Sequence, residues 1–363
     1  MSALVTRRNV LGSAAAAAAL ASLGAGPRAQ APVRAGFVYV GPVGDHGWTY
    51  GHDVARRELE AALGDQVATT FVENVSEGPD AERVIRQLAA AGNNIVFATS
   101  FGFMNAAVRV AQQFPDVKFE HCTGYKTAGN LAVYNARIYE ARAVIGHIAG
   151  RMSQAGTAGY IASFPIPEVI VGINAVFLAA RAVNPDFRVR IVWLNSWYDP
   201  GKEADAAKTL IDQGADIIIQ ETDSPAAVQV AEERGVHAFG HASDMRKFAP
   251  NAQLTAIVYN WGPYYIERGR AVLDGTWETH NVWWGLNEGM VEIAPYGPAV
   301  PPEVAAEADR IESAIIAGEL HPFTGPIRNQ AGELVLPEGE TMTDEDILHM
   351  DYYVQGIEGS LPT

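Results

Sequence analysis

The stretch Arg34-Ala-Gly-Phe-Val-Tyr-Val40 is followed directly by Gly41-Pro-Val-Gly-Asp-His-Gly-Trp-Thr-Tyr-Gly51. The first segment is a short apolar run rich in aromatic and β-branched residues, which predicts a buried β-strand. The second is a glycine-rich loop, and the helix predicted after it over residues 48–63 places Leu59 and Leu63 on one face. A strand, a loop and a helix in this order form the repeating unit of an α/β protein.

The same alternation recurs in two halves of the chain, which predicts parallel sheets with right-handed crossovers. In the first half the further strands predicted are Val67–Val72, Asn94–Thr99 and Val117–Cys122, and the helices are Asp80–Ala91 and Met104–Phe114. In the second half the strands are Ala158–Ala162, Arg188–Trp193, Asp216–Gln220 and Val236–Phe239, and the helices are Glu168–Val183, Glu203–Gln213 and Pro225–Arg234. Later apolar segments add strands at Gln253–Val258 and Gly289–Ile293 and a helix at Ile266–Leu273.

We therefore expect two α/β lobes joined around Ala149–Gly156. Residues 32–150 plus 240–280 are assigned to lobe 1 and residues 151–239 plus 281–320 to lobe 2, and a C-terminal extension, 321–363, is expected to pack on the lobes. Two open sheets that face each other place the carboxyl ends of their strands at a shared cleft, where ligands bind. Such lobes close around a ligand by hinge motion.

Composition excludes several classes of protein. The chain has 363 residues, 42 acidic against 26 basic side chains, and a net charge of −16. This acidity argues against binding to nucleic acid or to an anionic membrane surface. The only cysteine, Cys122, excludes an intramolecular disulfide and a cysteine-rich zinc module. The histidines form no cluster, so we expect no metal site.

Residues 1–31 are predicted to be a twin-arginine export signal. Thr6-Arg-Arg-Asn-Val-Leu11 gives a basic start, and an apolar core runs from Leu11 to Leu23. That core is shorter than the ~20 residues needed to span a bilayer. Ala29-Gln-Ala31 is a small-x-small cleavage site, and no cysteine follows the core to carry a lipid. The sequence thus predicts a soluble periplasmic protein without a lipid anchor, the alternative being an amphipathic N-terminal helix.

Each predicted half carries a tryptophan just after a strand. Trp48 lies in the glycine-rich loop, and Trp197 lies in Leu194-Asn-Ser-Trp-Tyr-Asp-Pro-Gly201. Two indoles that face each other across a cleft would hold a flat aromatic ring, at roughly 1–3 kcal/mol per stacking contact. The alternative for either tryptophan is packing within its lobe.

Polar and aromatic residues at the other strand ends are further candidates for ligand contact, because hydrogen-bonding groups there could recognise ring edges. For Asp223 and Asp244 the equal alternative is helix N-capping. Together with the two tryptophans, the candidates are Asp45, Thr49, Ser100, Phe101, Ser196, Glu221, Asp223, Asp244, Tyr259 and Asn260, and His241 and Ser243 follow a strand in the same way.

These motifs resemble the Bmp (basic membrane protein) family of ABC-transporter substrate-binding proteins, which includes the purine nucleoside receptor lipoproteins. Asp45-His-Gly-Trp-Thr49 stands where the family loop has D-x-S-F-N, and Asn195-Ser-Trp-Tyr-Asp199 stands where the second family aromatic lies. The resemblance implies a type I periplasmic-binding-protein fold with two Rossmann-like lobes, a three-strand hinge and two aromatics that sandwich a purine. It also implies a monomer without a cofactor that docks on an ABC permease.

The sequence departs from the nucleoside-binding members at three positions. Their G-V-D-x-D-Q motif holds ribose hydroxyls through its first aspartate, and here that position is Ala242. Their lysine in T-S-x-x-K is Tyr259, and their loop asparagine is Thr49. A buried sugar hydroxyl without a partner costs ~1–3 kcal/mol. We therefore expect a free purine base such as adenine to be preferred over a nucleoside.

Rival functions remain open at this point: a purine nucleoside receptor, a sensory binding protein, or a periplasmic enzyme such as a nucleoside hydrolase or an NAD-linked oxidoreductase. The sequence lacks G-x-G-x-x-G after its first strand and lacks G-x-x-x-x-G-K, H-E-x-x-H and G-x-S-x-G. We therefore expect a binding protein and assign no catalytic residue.

Overall fold

The structure is a computed structural model that describes residues 31–362. The predicted export signal lies outside the described residues except for Ala31, so it stays a prediction. Among the residues that are described, no helix is long and apolar enough to cross a membrane.

The first sheet has six strands, all parallel to their neighbours. In spatial order they are β11 (Asn281–Trp284), β5 (Leu131–Ala136), β4 (Lys118–Cys122), β3 (Ile95–Ala98), β1 (Val33–Val38) and β2 (Val67–Val72). The helices packed around it are α1 (Gly47–Leu63), α2 (Pro79–Ala90), α3 (Met104–Ala111) and α8 (Gly262–Asp274). This sheet and its helices form lobe 1.

The second sheet also has six strands, and only its edge strand β12 runs antiparallel, to β10. In spatial order they are β12 (Val291–Ile293), β10 (Gln253–Tyr259), β9 (His237–Gly240), β8 (Ile217–Gln220), β6 (Thr157–Ala162) and β7 (Arg188–Trp193). Lobe 2 also contains the helices α4 (Ile138–Met152), α5 (Pro167–Val183), α6 (Pro200–Asp212), α7 (Ala226–Arg234) and α9 (Pro302–Ile316).

Helices α4 and α5 pack unusually closely against each other. A Cβ added at Gly146 of α4 would lie 2.5 Å from the carbonyl oxygen of Val176 in α5. Only glycine permits this approach, since real Cβ contacts do not become that short. Helix α4 begins directly after β5, so this close packing fixes the chain to α5 as soon as it has crossed between the lobes.

The C-terminal segment packs against α4 and α5 on lobe 2. It contains the short hairpin β13 (Ile327–Arg328) and β14 (Leu334–Leu336), followed by α10 (Asp344–Leu348). The Asn174 side chain of α5 holds it at two points, because Nδ2 donates to the Tyr352 carbonyl at 2.9 Å and Oδ1 accepts from the Val354 N–H at 3.1 Å.

The chain crosses between the sheets at other places than the sequence analysis expects. Strand β10 lies in the segment 240–280 assigned to lobe 1, yet it pairs with β9 in the second sheet. Strand β11 lies in the segment 281–320 assigned to lobe 2, yet it pairs with β5 in the first sheet. Helix α4 lies almost entirely before the expected boundary at residue 150, yet it packs on α5 of lobe 2. The three crossings follow β5, β10 and β11, and β5 itself was not predicted.

A buried carboxylate anchors the segment that returns to lobe 1. Glu120 of β4 is fully buried, and its Oε1 accepts hydrogen bonds from Arg268 Nε and Trp277 Nε1, both at 2.6 Å. Its Oε2 accepts from the Tyr264 hydroxyl at 2.6 Å. Burial raises the pKa of Glu120, and the charge of Arg268 opposes that effect. Helix α8 and the chain leading to β11 are thereby tied to the middle of the first sheet.

We expect Glu120→Ala to destabilise the protein by about 3–5 kcal/mol, because it leaves the Arg268 guanidinium buried without its partner. Urea unfolding followed by tryptophan fluorescence measures this free energy. Glu233→Ala, which removes an exposed carboxylate on α7, serves as the control and should change it by less than ~0.5 kcal/mol. Equal unfolding midpoints for the two variants would contradict the role assigned to Glu120.

Candidate ligand-binding site

A small cavity of about 30 Å³ lies between the two lobes. This volume is below the ~300–1,000 Å³ of small-molecule sites, so the lobes have to move apart to admit a ligand of that size. All of its wall residues lie at or after the carboxyl end of a strand: Val40, Trp48, Ser100, Phe101 and Thr123 from lobe 1, and Glu168, Trp197, Glu221, Asp223, His241 and Tyr259 from lobe 2.

Trp48, in the first turn of α1, is held from several sides. Its indole N–H donates to the Thr99 carbonyl at 2.7 Å. Its ring stands edge-on to His52, Tyr259 and Trp261, with centroids 4.6, 5.1 and 5.4 Å away. These contacts fix the orientation of the ring before any ligand arrives.

Trp197 faces the same cavity from lobe 2. Its indole N–H donates to Glu77 Oε1 of lobe 1 at 3.3 Å, and its ring packs at a tilt on Phe164, with centroids 5.0 Å apart. The same Glu77 oxygen accepts from the Ser100 hydroxyl at 2.6 Å. Since both indole N–H groups have protein acceptors, both tryptophans offer a ligand only their ring faces.

A buried ion pair forms one side of the cavity. The Arg142 guanidinium lies 3.5 Å from Glu221 Oε2, which also accepts from the Tyr160 hydroxyl at 2.5 Å. Arg142 donates to His241 Nδ1 at 3.1 Å, so this histidine is neutral with its proton on Nε2. Burial and the charge of Arg142 lower the pKa of His241, and burial raises the pKa of Glu221 against the pull of Arg142.

Two further carboxyls of lobe 2 face the cavity. Asp223 Oδ1 accepts the backbone N–H of Trp48 at 3.1 Å, and burial raises the pKa of Asp223 to about 7. Glu168, in the first turn of α5, receives no hydrogen bond from any residue in the described part of the chain. Burial and the nearby charge of Glu221 raise the pKa of Glu168 to about 8.

The structure brings most of the predicted site residues together. The cavity wall contains Trp48, Trp197, Ser100, Phe101, Glu221, Asp223 and Tyr259. The remaining candidates, Asp45, Thr49, Ser196, Asp244 and Asn260, lie outside it. Strand-end position was therefore a sound criterion for finding the cleft, but it did not separate cavity side chains from those that stabilise loops.

Thr49 and Asp244 bond the backbone of their own loops. Thr49 Oγ1 accepts the Gly41 N–H at 3.3 Å. Asp244 Oδ1 accepts the Arg246 N–H at 3.0 Å and the Gln253 side-chain amide at 2.7 Å. Asp244 is thus a loop-stabilising residue, and the helix N-capping kept as its alternative is wrong, because no helix begins there.

Asp45, Asn260 and Ser196 lie at the periphery of the cleft. Asp45 is exposed and pairs with the Lys247 ammonium of lobe 2, which lowers the pKa of Asp45. The Asn260 amide donates to Glu292 Oε1 at 3.0 Å. Ser196 is half-buried next to Trp197.

The candidate set omitted Val40, Thr123, Glu168 and His241 from the wall. His241 was noted as following a strand. Glu168 was missed because it comes six residues after β6, where the chain has already entered α5. A signal was present in the sequence, since Glu168 is an acidic residue followed by a strongly apolar helix.

The lobes touch at the rim of the cavity. The Gly47 N–H of lobe 1 donates to the Ser243 hydroxyl of lobe 2 at 2.9 Å. A Cβ at Gly47 would lie 2.6 Å from the carbonyl oxygen of Asp223, and its φ of +79° also favours glycine. The absence of a side chain at this position allows the observed approach of the lobes.

Comparison with known proteins agrees with this architecture. Residues 32–321 match the sequence profile of the Bmp family, described as ABC transporter substrate-binding protein PnrA-like. The chain belongs to this family. Members of the Bmp family are solute-binding proteins, which bind a small molecule and present it to a permease outside the cytoplasmic membrane.

Two relatives match the Bmp chain over almost its whole length. One, from Brucella abortus, is named purine-binding protein and is 59% identical over 94% of this chain and 97% of its own. Another, from Haloferax volcanii, is named putative ABC transporter glucose-binding protein and is 36% identical over 94% of this chain and 84% of its own.

Solved structures share the fold at lower sequence identity. An ABC transporter solute-binding protein from Aeropyrum pernix superposes with a TM-score of 0.68 at 17% identity, covering 87% of this chain and 95% of its own. One from Conexibacter woesei gives 0.63 at 22% identity, covering 80% and 98%. The type I periplasmic-binding-protein fold expected for a Bmp protein is therefore confirmed.

Proposed function

We propose that this protein is the periplasmic receptor of an ABC importer for a purine, held between Trp48 and Trp197. The observation that carries the proposal is that the two indoles, one from each lobe, line one cavity between the lobes and offer only their faces. When the lobes move apart enough to admit it, a planar ring of purine size can stack on such faces. The name of the Brucella relative supports a purine as the ligand.

We propose further that the ligand is a free base such as adenine. Ala242, which replaces the ribose-binding aspartate of the nucleoside receptors, is buried and carries no group that could bond a sugar hydroxyl. Tyr259 stacks on Trp261 at 5.0 Å, and Thr49 is used by the loop. None of the three replacements therefore supplies a polar group suited to ribose in the way the nucleoside receptors do.

Polar recognition of the base falls to the lobe 2 side of the cavity. A purine presents ring N–H groups and, in adenine, an exocyclic amine, and carboxyl oxygens accept such donors. Glu221 and Asp223 both face the cavity and are already oriented by Tyr160 and by the Trp48 N–H. The arrangement favours a donor-rich neutral ring over an anionic ligand.

Transport follows from hinge closure around the base. The two tryptophans belong to different lobes, so a ring can contact both only when the lobes are closed. The ligand therefore stabilises the closed form by the difference between its affinities for the closed and open forms. The protein is exported to the periplasm by its twin-arginine signal and carries no lipid anchor. There it acts as a monomer, and its closed form docks on the permease. The acidity of the chain gives it no basis for binding nucleic acid.

Calorimetric titration with adenine, adenosine and glucose tests this assignment. We expect adenine to bind at least tenfold more tightly than adenosine, and glucose not to bind. Adenosine bound a hundredfold more tightly than adenine would make the protein a nucleoside receptor instead. Preferred binding of glucose would assign it the ligand named for the Haloferax relative. Release of adenine from adenosine on incubation would establish a hydrolase.

Trp197→Ala should weaken adenine binding by roughly 1–3 kcal/mol, because one stacking face is lost. The same titration measures the change, and quenching of tryptophan fluorescence by adenine should decrease in parallel. Phe71→Ala, which removes an exposed ring on β2, is the control and should leave the affinity unchanged. Full affinity in Trp197→Ala would exclude the sandwich.

Gly47→Ala should weaken adenine binding by about tenfold or more, equivalent to ~1.4 kcal/mol, because its Cβ would meet the Asp223 carbonyl when the lobes close. Gly129→Ala is the matched control, since a Cβ there has open space around it. Gly129→Ala should unfold at a midpoint close to that of the wild type, whereas Gly47→Ala should unfold somewhat earlier because of its left-handed backbone, so affinity is measured well below both midpoints. An unchanged dissociation constant in Gly47→Ala would show that closure does not require this approach.

A further inference from the structure

A second cavity adjoins the proposed purine site on the hinge side. Its volume is about 320 Å³, and Phe101, Thr123 and Glu168 line both cavities. We call this second cavity the side chamber, and the three shared residues its junction with the purine site. No role in the proposed binding of an unsubstituted base accounts for it.

The walls of the side chamber are largely apolar. Ile138 comes from the first crossing between the lobes and Trp283 from β11, while Leu348 comes from the C-terminal segment. The C-terminal segment is held over this end of the cleft by an ion pair in which Arg137 NH1 donates to Asp344 Oδ1 at 2.6 Å. The tail of the chain therefore encloses a chamber suited to an apolar group.

The junction has two features that point to a ligand. Thr123 has a φ of +64°, a left-handed conformation that is strained for a β-branched residue and is concentrated at ligand-binding positions. Glu168 is a half-buried carboxyl without a hydrogen bond from the described residues, although Glu221 beside it has both Tyr160 and Arg142. Its oxygens are therefore available to accept a hydrogen bond from a donor outside the chain.

We propose that the side chamber binds an apolar substituent of the purine, and that Glu168 accepts a hydrogen bond from the exocyclic N–H that carries this substituent. The inference rests on the proposed purine site. The class of ligand is a purine with a secondary exocyclic amine bearing an alkyl or aryl group. Such a ligand places its ring between the tryptophans, its N–H at the junction and its apolar group in the chamber.

Charge and polarity favour this occupant over a ribose. A ribose would bring several hydroxyls against apolar walls, each losing water without a partner. An alkyl or aryl group instead gains from burial against Ile138 and Trp283. Burial and the charge of Glu221 raise the pKa of Glu168 to about 8, and Arg142 only partly offsets these effects. This shift agrees with a carboxyl that receives no hydrogen bond from the protein.

Titration calorimetry with adenine, 6-benzylaminopurine and 6-benzyloxypurine tests the proposal on the full mature chain. We expect 6-benzylaminopurine to bind at least as tightly as adenine. We expect 6-benzyloxypurine, which lacks the N–H, to bind at least tenfold more weakly than 6-benzylaminopurine. Equal affinity of the two benzyl compounds would overturn the role of Glu168.

Leu348→Trp fills the chamber from the half-buried tail side, with Leu334→Trp in the exposed hairpin as its control. We expect Leu348→Trp to weaken 6-benzylaminopurine at least tenfold and adenine less than twofold. If the wild type binds 6-benzylaminopurine more than tenfold more weakly than adenine, the role proposed for the side chamber is overturned, while the purine site remains. If Leu348→Trp loses equal affinity for both ligands, the role of the side chamber is overturned as well. Failure of adenine itself to bind overturns the proposed function, and this inference with it.

Discussion

In both sheets the strands run parallel to one another except for the edge strand β12, so their carboxyl ends lie on the sheet edge that faces the other lobe. Every wall residue of the cavity lies at or beyond such an end. Strand direction therefore determines which short segments can meet a ligand, before any side chain is considered. The bodies of the strands and the buried faces of the helices do not take part in the site, so they can be apolar and form the core.

The two tryptophans serve the cleft in different ways because their surroundings differ. Trp48 is fixed by three aromatic neighbours and by a backbone carbonyl of its own lobe. Trp197 has one aromatic neighbour, Phe164, and its N–H bonds Glu77 of the opposite lobe. The first ring is thus held by several contacts, one of them with Tyr259 of lobe 2, whereas the second has a single aromatic contact and a hydrogen bond that depends on the lobes being close together. Closure of the cleft therefore affects the position of Trp197 more than that of Trp48.

Periodicity predicted the elements well and their partners poorly. Strands Val67–Val72 and Arg188–Trp193 match the structure residue for residue, because β-branched apolar runs between turn residues have one interpretation. The lobe to which a strand belongs has no local signature: β10 and β11 are similar short apolar runs, yet they enter opposite sheets. Strand β5 was overlooked because it follows β4 without an intervening helix, which the strand-helix alternation does not anticipate.

The same limit applies to the site. Strand ends could be located from sequence, and with them Trp48, Trp197, Glu221 and Asp223. Which strand-end side chains face the cavity depends on loop geometry that the sequence does not display, so Thr49 and Asp244 could not be recognised as loop-bonding residues. Glu168 could not be predicted from the strand ends, because it lies in the first turn of α5, and the sequence does not show that this turn lies over the cleft.

The distribution of charge in the cavity limits the chemistry of its ligand. Glu168, Glu221 and Asp223 all face it, while Arg142 is occupied by Glu221, His241 and the Gln220 carbonyl. Among the described wall residues there is no unpaired cation to offset the charge of an anionic ligand, and desolvation of that charge would oppose its binding. A neutral ring with N–H donors on its edge satisfies the carboxyls and stacks on the indoles at once. Indole faces and carboxyl oxygens in one cavity are features that suit a nitrogen heterocycle, the class of ligand that we propose.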